Sequence, residues 1–410
     1  MTAETDEISE NTPVWARDDA FPAAPSGYGW ADEKGSLHPC SNEEELVSLI
    51  RDDLRAEVAL VWTPLHPRLI IPEELAAANE AIRIARKRRS SAEFTFFQNR
   101  LRHFSWILGG AAIWILAAAF LNAPRIATSF MDRAGFAIAT LLRSHAAGLA
   151  LLMFLIFAFI PWYQTRKNFQ EAIREPNEEG ETTRVLRFET WLQMQKAPVT
   201  WLIFSLIAIV GLVQMMPGDA TTDGGLLRSA VASDEWWRLL TAPFLHGNPV
   251  HFAMNAAALL YLGKRVEVFA RWQHLPLVFV FAALLGGEAS LRFSSAPNSL
   301  GASGGLMGWL GFLLVFETLH ARLVPRSSRR RLLAGVVLTA LIGLIGYRYI
   351  DNAAHAGGLI AGMLYAAIVF PKSHSYRRPR STVTDWIAGS AAMLGILGAV
   401  MLTLAKIIPW

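Results

Sequence analysis

A serine set among small residues, Gly301-Ala302-Ser303-Gly304, opens one apolar run, and a histidine in a similar setting, Ala354-His355-Ala356-Gly357-Gly358, opens another about fifty residues later. Ionisable groups inside a membrane-length segment are costly, so by default they mark function. Ser with His is the smallest set that supplies a nucleophile and its general base. The chemistry indicated is hydrolysis of a peptide bond at membrane depth. A third piece is His246-Gly247-Asn248-Pro249-Val250-His251-Phe252-Ala253-Met254-Asn255. His251 and Asn255 are four apart, hence on one helix face, and both can donate hydrogen bonds to a developing oxyanion. Gly301 and Gly304 allow a tight loop around Ser303, whose own N–H is a further donor. Gly357, Gly358 and Gly362 allow the His355 helix to approach closely, as small residues do between membrane helices. Such an approach is needed for a Ser–His hydrogen bond of about 2.6–3.2 Å.

The elements that position these residues are membrane helices. The 410-residue chain is 53% hydrophobic and only 18% charged, where a soluble domain is nearer about 25% charged. Its mean hydropathy is +0.30. The apolar residues cluster in runs near 104–121, 146–163, 199–216, 251–269, 275–291, 301–319, 332–347, 353–370 and 386–407, which predicts nine spans. The 251–269 run is the least apolar, carrying Asn255, Lys264, Arg265 and Glu267; it spans if its basic end reaches the interface. Segment 122–145 reads as a loop.

Residues 1–102 read as a cytoplasmic, partly ordered region with a small α/β element. Residues 1–40 are rich in Pro, Gly, Ala and acidic residues, a composition that predicts loose order. Glu43–Arg55 has helical spacing, Val58–Trp62 suits a short strand, and Glu73–Arg89 suits a helix ending in four basic residues. Met1–Glu10 lacks a basic and an apolar signal region, so no cleavable signal peptide is expected. Two spans follow at 103–165, a core at 198–371 and a last span at 385–410.

Basic residues set the orientation. With the N-terminus cytoplasmic, inner segments hold Arg86–Arg89, Arg166, Lys167, Arg174, Arg184, Arg187, Lys264, Arg265, Arg271, Arg322, Arg326, Arg329–Arg331, Arg377, Arg378 and Arg380. Outer segments hold only Arg125, Arg133, Arg143, Arg228, Arg238, Arg292 and Arg348. This arrangement puts His251, Ser303 and His355 at the outer ends of their spans. The same flanking role accounts for the pI near 9.3, and no nucleic-acid motif accompanies the charge. Cys40 is the one cysteine, so an intrachain disulfide and a cysteine metal cluster are excluded. There is no His-Glu-x-x-His zinc motif, and no cofactor or metal is expected.

Residues 199–370 resemble the rhomboid intramembrane serine proteases. The matching pieces are Trp237-Arg238, His246, His251, Asn255, Tyr261-Leu262-Gly263 with Glu267, Gly301-Ala302-Ser303-Gly304, and Ala354-His355-Ala356-Gly357-Gly358 through Gly362. The resemblance implies an all-α polytopic membrane protein with a six-helix core, here with two spans before it and one after. It implies Ser303 as nucleophile and His355 as base without a third acidic member. It also implies an oxyanion hole from His251, Asn255 and the Ser303 N–H, and a water-accessible cavity on the outer side. The implied partners are single-span membrane protein substrates within the lipid bilayer. One departure stands out: where many of that family place an aromatic residue against the base, this chain has Met307, a thioether able to pack on an imidazole.

Blander readings apply to individual residues. A Gly-x-Ser-Gly string also suits plain helix packing, and a lone His355 suits a proton relay or a cofactor ligand. Trp237 and Arg238 read as structural, His246 as support for the outer loop, and Glu267 as an internal anchor at the cytoplasmic end. Two other function classes stay open: a catalytically silent client-binding relative, and a transporter using His251, Glu267 and His355, although no inverted repeat accompanies the latter. The absence of targeting segments suits a bacterial inner membrane.

Overall fold

The computed structural model describes residues 12–124, 126–173, 179–296, 298–347 and 349–408. Met1–Asn11 and the topology residues Arg125, Arg174 and Arg348 lie outside the described residues. The described residues form two compact units, one drawn from 21–186 with 344–349 and one from 12–20, 187–343 and 350–408.

In the first unit, strands β1 (Tyr28–Ala31), β2 (Leu37–Cys40) and β3 (Leu60–Trp62) form an antiparallel sheet in the order β2-β1-β3. Residues 28–40 are therefore ordered, contrary to their composition. The signal lies in the turn: Asp32 Oδ1 accepts from the N–H groups of Lys34 at 2.9 Å and Ser36 at 2.8 Å, and Gly35 supplies φ +85°. Gly29 is required because a Cβ there would enter the Trp62 ring. Helix α1 (Glu43–Asp52) starts at Asn42, which accepts from Glu45 N–H at 2.9 Å, and buries Leu46 and Ile50. These pack with Val61, Leu75, Ala78, Ala81 and Ile82 in one core.

The helix expected from Glu73 begins at Asn79, because Pro72–Glu74 and Ala76–Ala78 form short 3-10 turns first. It then continues as α2 (Asn79–Leu121), 43 residues long; no Gly or Pro interrupts 79–108. The expected loop at 122–145 contains a helix, α3 (Phe130–Arg143), opened by a Ser129/Asp132 capping box. Helices α4 (His145–Phe154) and α5 (Ile160–Ile173) join through a π turn at Leu155–Phe159. Pro161 explains it: the ring clashes with the carbonyl four residues earlier, and the wider turn relieves the clash.

The second unit holds the motif residues. Helix α6 (Glu179–Met194), which enters this unit at Arg187, leads to α7 (Pro198–Val213), with a 64° bend between Thr183–Met194 and Pro198–Val213. A loop follows with α8 (Ala220–Gly224), β4 (Leu226–Leu227), α9 (Arg228–Val231) and α10 (Arg238–Thr241). Then come α11 (Pro249–Ala270), α12 (His274–Phe293), β5 (Asn298–Ser299) and α13 (Ser303–Leu319). Helices α14 (Arg326–Ile345, in this unit to Gly343), α15 (Asn352–Val369) and α16 (Val383–Ile407) complete it. Residues 13–20 belong to this unit. Trp15 is buried, and its Nε1–H donates to the Leu323 carbonyl at 2.8 Å, so this part of the N-terminal segment is held in place.

Helices stand over all nine apolar runs, which makes the chain an all-α polytopic membrane protein. Among the described residues, five helices are individually long and apolar enough to cross a membrane, or six if the bent pair is one span. Ser303–Leu319 is apolar but has 17 residues. Helices α11 and α14 carry charged residues and fall outside that set. Arg265 of α11 turns into the protein. It is 1% exposed, pairs with Glu317 at 3.0 Å and bonds Ser328 Oγ, while Ser328 Oγ donates to Glu317 at 2.8 Å. Burial of an arginine demands such partners.

Candidate active site

Ser303 is the first residue of α13 and His355 lies in the first turn of α15. The two helices meet backbone to backbone. A Cβ on Gly358 would fall on the Gly304 carbonyl, one on Gly362 on the Gly308 carbonyl, and one on Gly311 on the Leu359 carbonyl. Helix α12 closes the contact through Gly286, whose Cβ would lie 2.8 Å from the Ala354 oxygen and 3.5 Å from Gly304 Cα. Gly304 follows Ser303 and Ala354 precedes His355. The glycine contact therefore brings nucleophile and base candidates within one residue of a shared packing point. Both side chains are half-buried.

The His251–Asn255 face arrives from α11. Asn248 caps that helix, accepting from His251 N–H at 2.9 Å, and Pro249 takes the first helical position, where its missing donor costs nothing. Gly301 sits against this face at φ +122°. A Cβ there would lie 2.7 Å from His251 Cε1, 2.9 Å from its Nε2 and 3.4 Å from Asn255 Nδ2. Gly301 N–H donates to the Ala242 carbonyl at 2.9 Å. Asn255 is 7% exposed, and its Nδ2 has no hydrogen-bond acceptor. A buried donor without a partner is unusual, and this one lies against Gly301, which is two residues before Ser303. The Ser303 N–H heads a helix, among the amides that have no intrahelical acceptor and that favour negative charge.

The side chains of Ser303 and His355 do not hydrogen bond to each other in this state; His355 Nδ1 is buried without a partner. Catalytic hydrogen bonds in free enzymes are often long and tighten when substrate binds. Two residues that sequence reasoning missed hold the His355 turn. Asp351 caps α15 by accepting from Ala354 N–H at 3.0 Å, and Ser290 Oγ of α12 donates to the same carboxylate. Asp351-Asn352-Ala353-Ala354 carries an N-cap signal that could have identified the first.

The supporting residues fall into separate places. His246 is buried, with ring centroids 5.2 Å from His251 and 5.3 Å from Phe252, both edge-on. Its backbone N–H donates to Gln214 Oε1 at 3.0 Å, and its carbonyl accepts from Gln214 Nε2 at 2.5 Å. Burial, and then the neighbouring His251, push the His246 pKa down to about 3, so it is neutral at ordinary pH. Arg238 is 7% exposed and donates to the Thr222 and Gly225 carbonyls, each at 2.8 Å, with Glu235 at 2.6 Å. Its guanidinium lies 4.7 Å from the Trp237 ring. Arg238 thus ties Trp237, Glu235 and two loop carbonyls together.

Glu267 is 16 residues from His251 on the same helix, about 24 Å away at 1.5 Å per residue. There it accepts from Val199 N–H at 3.1 Å, Thr200 N–H at 2.8 Å and Thr200 Oγ1 at 2.7 Å. It caps α7, whose own N-cap, Ala197, has no side chain for the purpose. Met307 is buried one turn along α13 from Ser303. The short β4–β5 pair, Leu226 with Ser299 and Leu227 with Asn298, ties the α8–α10 loop to the strand entering the Ser303 turn.

The chain is a polytopic membrane protein whose glycine-packed bundle carries a Ser and a His at adjoining helix ends, and known proteins resemble part of it. Residues 233–372 match the Rhomboid domain. It is similar to the rhomboid protease GluP of Bacillus subtilis (strain 168), 30% identical over 218 residues, 52% of this chain and 42% of that protein. It is 30% identical to RHOMBOID-like protein 4 of Arabidopsis thaliana over 154 residues, 37% and 39% of the two chains. It is also 28% identical to inactive rhomboid protein 2 of Homo sapiens over 178 residues, 42% and 20%. The chain thus matches less than half the length of each of these relatives.

Proposed function

We propose that this protein is an intramembrane serine endopeptidase that cleaves transmembrane helices near their outer ends. The observation that carries the reading is the joint contact at Gly286, where the residues next to Ser303 and His355 meet. In this mechanism Ser303 Oγ attacks the scissile carbonyl while His355 takes its proton. The oxyanion accepts from the Ser303 N–H, Asn255 Nδ2 and the His251 ring. His355 then protonates the leaving amine, and water releases the acyl product by the same route. The buried, unpartnered Asn255 Nδ2 supports this assignment, because it gains an acceptor only when charge develops beside it.

The protease core occupies 198–371, preceded by two added spans at 103–165 and followed by one at 385–410. The N-terminal region, 1–102, lies in the cytoplasm, and the membrane is a bacterial inner membrane. Single-span membrane proteins are the substrates. The products are an ectodomain released outward and a membrane-bound stub. The alternative is a catalytically weak client-binding protein, and the unmade Ser303–His355 hydrogen bond is the observation on its side.

The test is cleavage of a model single-span substrate by purified full-length protein in lipid vesicles. Wild type should cut and be labelled at Ser303 by a fluorophosphonate, with EDTA without effect. Ser303→Ala and His355→Ala should each be silent, since nucleophile and base act as a unit. Equal turnover by folded Ser303→Ala would overturn the proposal.

A further inference from the structure

The helix that follows the matched domain ends on the loop that leads to the site. We propose that α16 belongs to the reaction machinery as a brace, with Lys406 a positioning residue that acts on Ser303 through Trp237 and the α8–α10 loop. This rests on the protease reading above for its kinetic consequence but not for its structural one.

Helix α16 is seated firmly. A Cβ on Gly389 would lie 2.7 Å from Gln273 Cα, so the helix lies directly on the chain entering α12. Ile396, Val400 and Thr403 along it are buried. Its last turn reaches the outer loop. Ile407 Cγ2 would stand 3.4 Å from a Cβ on Gly224, and Lys406 Nζ lies 4.6 Å from the Trp237 ring.

From Trp237 the path to the site is short. Arg238 lies 4.7 Å from the same ring and bonds the Thr222 and Gly225 carbonyls. Thr241 Oγ1 donates to the Gly224 carbonyl at 2.6 Å. The next residue, Ala242, accepts from Gly301 N–H, and Gly301 rests on the His251 and Asn255 side chains. Two cations on one indole hold the loop from both of its partners. Removing Lys406 leaves Arg238 and the carbonyl bonds but frees the Trp237 ring from α16. The competing role for Lys406 is that of an exposed lysine reaching from a helix end toward the headgroups; that role has no consequence at Gly301.

The experiment uses the full chain in lipid nanodiscs with Lys406→Met, Lys406→Arg, Trp237→Leu and the double variant Lys406→Met/Trp237→Leu. Hydrogen exchange reads the brace independently of catalysis. Lys406→Met should speed exchange of the 238–245 and Gly301 amides and leave those of α11 unchanged. Fluorophosphonate labelling of Ser303 and kcat should both fall about three- to tenfold, the range of one cation–π contact. KM should stay within about twofold, the melting temperature should hold, and Lys406→Arg should recover the loss. The double variant should lose no more than Trp237→Leu alone, because the two side chains form one contact. Wild-type exchange in Lys406→Met, equal losses in Lys406→Arg, or additive losses in the double variant would each overturn the brace. A wild-type protein that neither labels nor cleaves, yet shows the exchange change, would sink the protease reading and leave the brace standing.

Discussion

Gly301 lies flat against the His251 imidazole: a Cβ there would be 2.7 Å from Cε1 and 2.9 Å from Nε2, at a backbone φ of +122°. Only glycine meets both conditions. Gly301→Ala must shift either the Ser303 loop or the imidazole. It should reduce kcat at least about tenfold, since a misplacement of about 1 Å can cost about 10² in rate. Steady-state kinetics on folded variant checks it; wild-type kcat would remove His251 from the site.

Asn255 presents a trade between stability and rate. Its Nδ2 is buried and unpaired, a state that costs about 1–3 kcal/mol. Asn255→Ala should therefore leave the melting temperature unchanged or raised, while slowing cleavage by up to about 10²–10³, the worth of one oxyanion donor. A variant that melts early and cleaves normally would reverse the assignment.

The glycine seam between α13 and α15 tolerates no side chain. Gly362→Leu would drive atoms into the Gly308 carbonyl. It should cost at least about 1–3 kcal/mol by overpacking and abolish fluorophosphonate labelling of Ser303. Gly395 and Gly398 have open space around them. Replacing either with Ala should be neutral or stabilising by about 0.5–1 kcal/mol. Thermal melts of the three variants in detergent decide the matter.

Acid sensitivity should have a component from His246. Its pKa falls from 6.5 to about 3 in the folded protein. Between those values the unfolded chain binds a proton that the folded chain does not, so stability is fully present above about pH 6.5 and declines as pH falls toward 3. His246→Phe keeps a ring between His251 and Phe252 and removes the titration. Its melting temperature should fall less steeply than wild type between pH 6.5 and pH 4; parallel slopes would refute the buried neutral ring.

The Arg265–Glu317 pair, 1% and 0% exposed, should break asymmetrically. Arg265→Met leaves a buried carboxylate with Ser328 as its remaining donor and should cost about 3–5 kcal/mol, whereas Arg265→Met with Glu317→Met should recover most of the loss. Denaturant titration of the single and double variants would show it.

The sequence by itself determined the membrane class, because long apolar runs need no partner to be read, and it singled out Ser303, His355, His251 and Asn255, because polar groups at membrane depth stand out from their surroundings. It also contained the caps that start individual helices, Asn248 before α11 and Asp351 before α15, since capping is local in the chain. Tertiary structure alone decided what each polar group answers to. Glu267 caps a helix 67 residues away in sequence, Arg265 turns inward to Glu317, and Gly301 rather than Gly304 takes the left-handed turn against His251. Those outcomes depend on which helices become neighbours. That choice is made by close packing over whole faces, and spacing along one segment does not encode it.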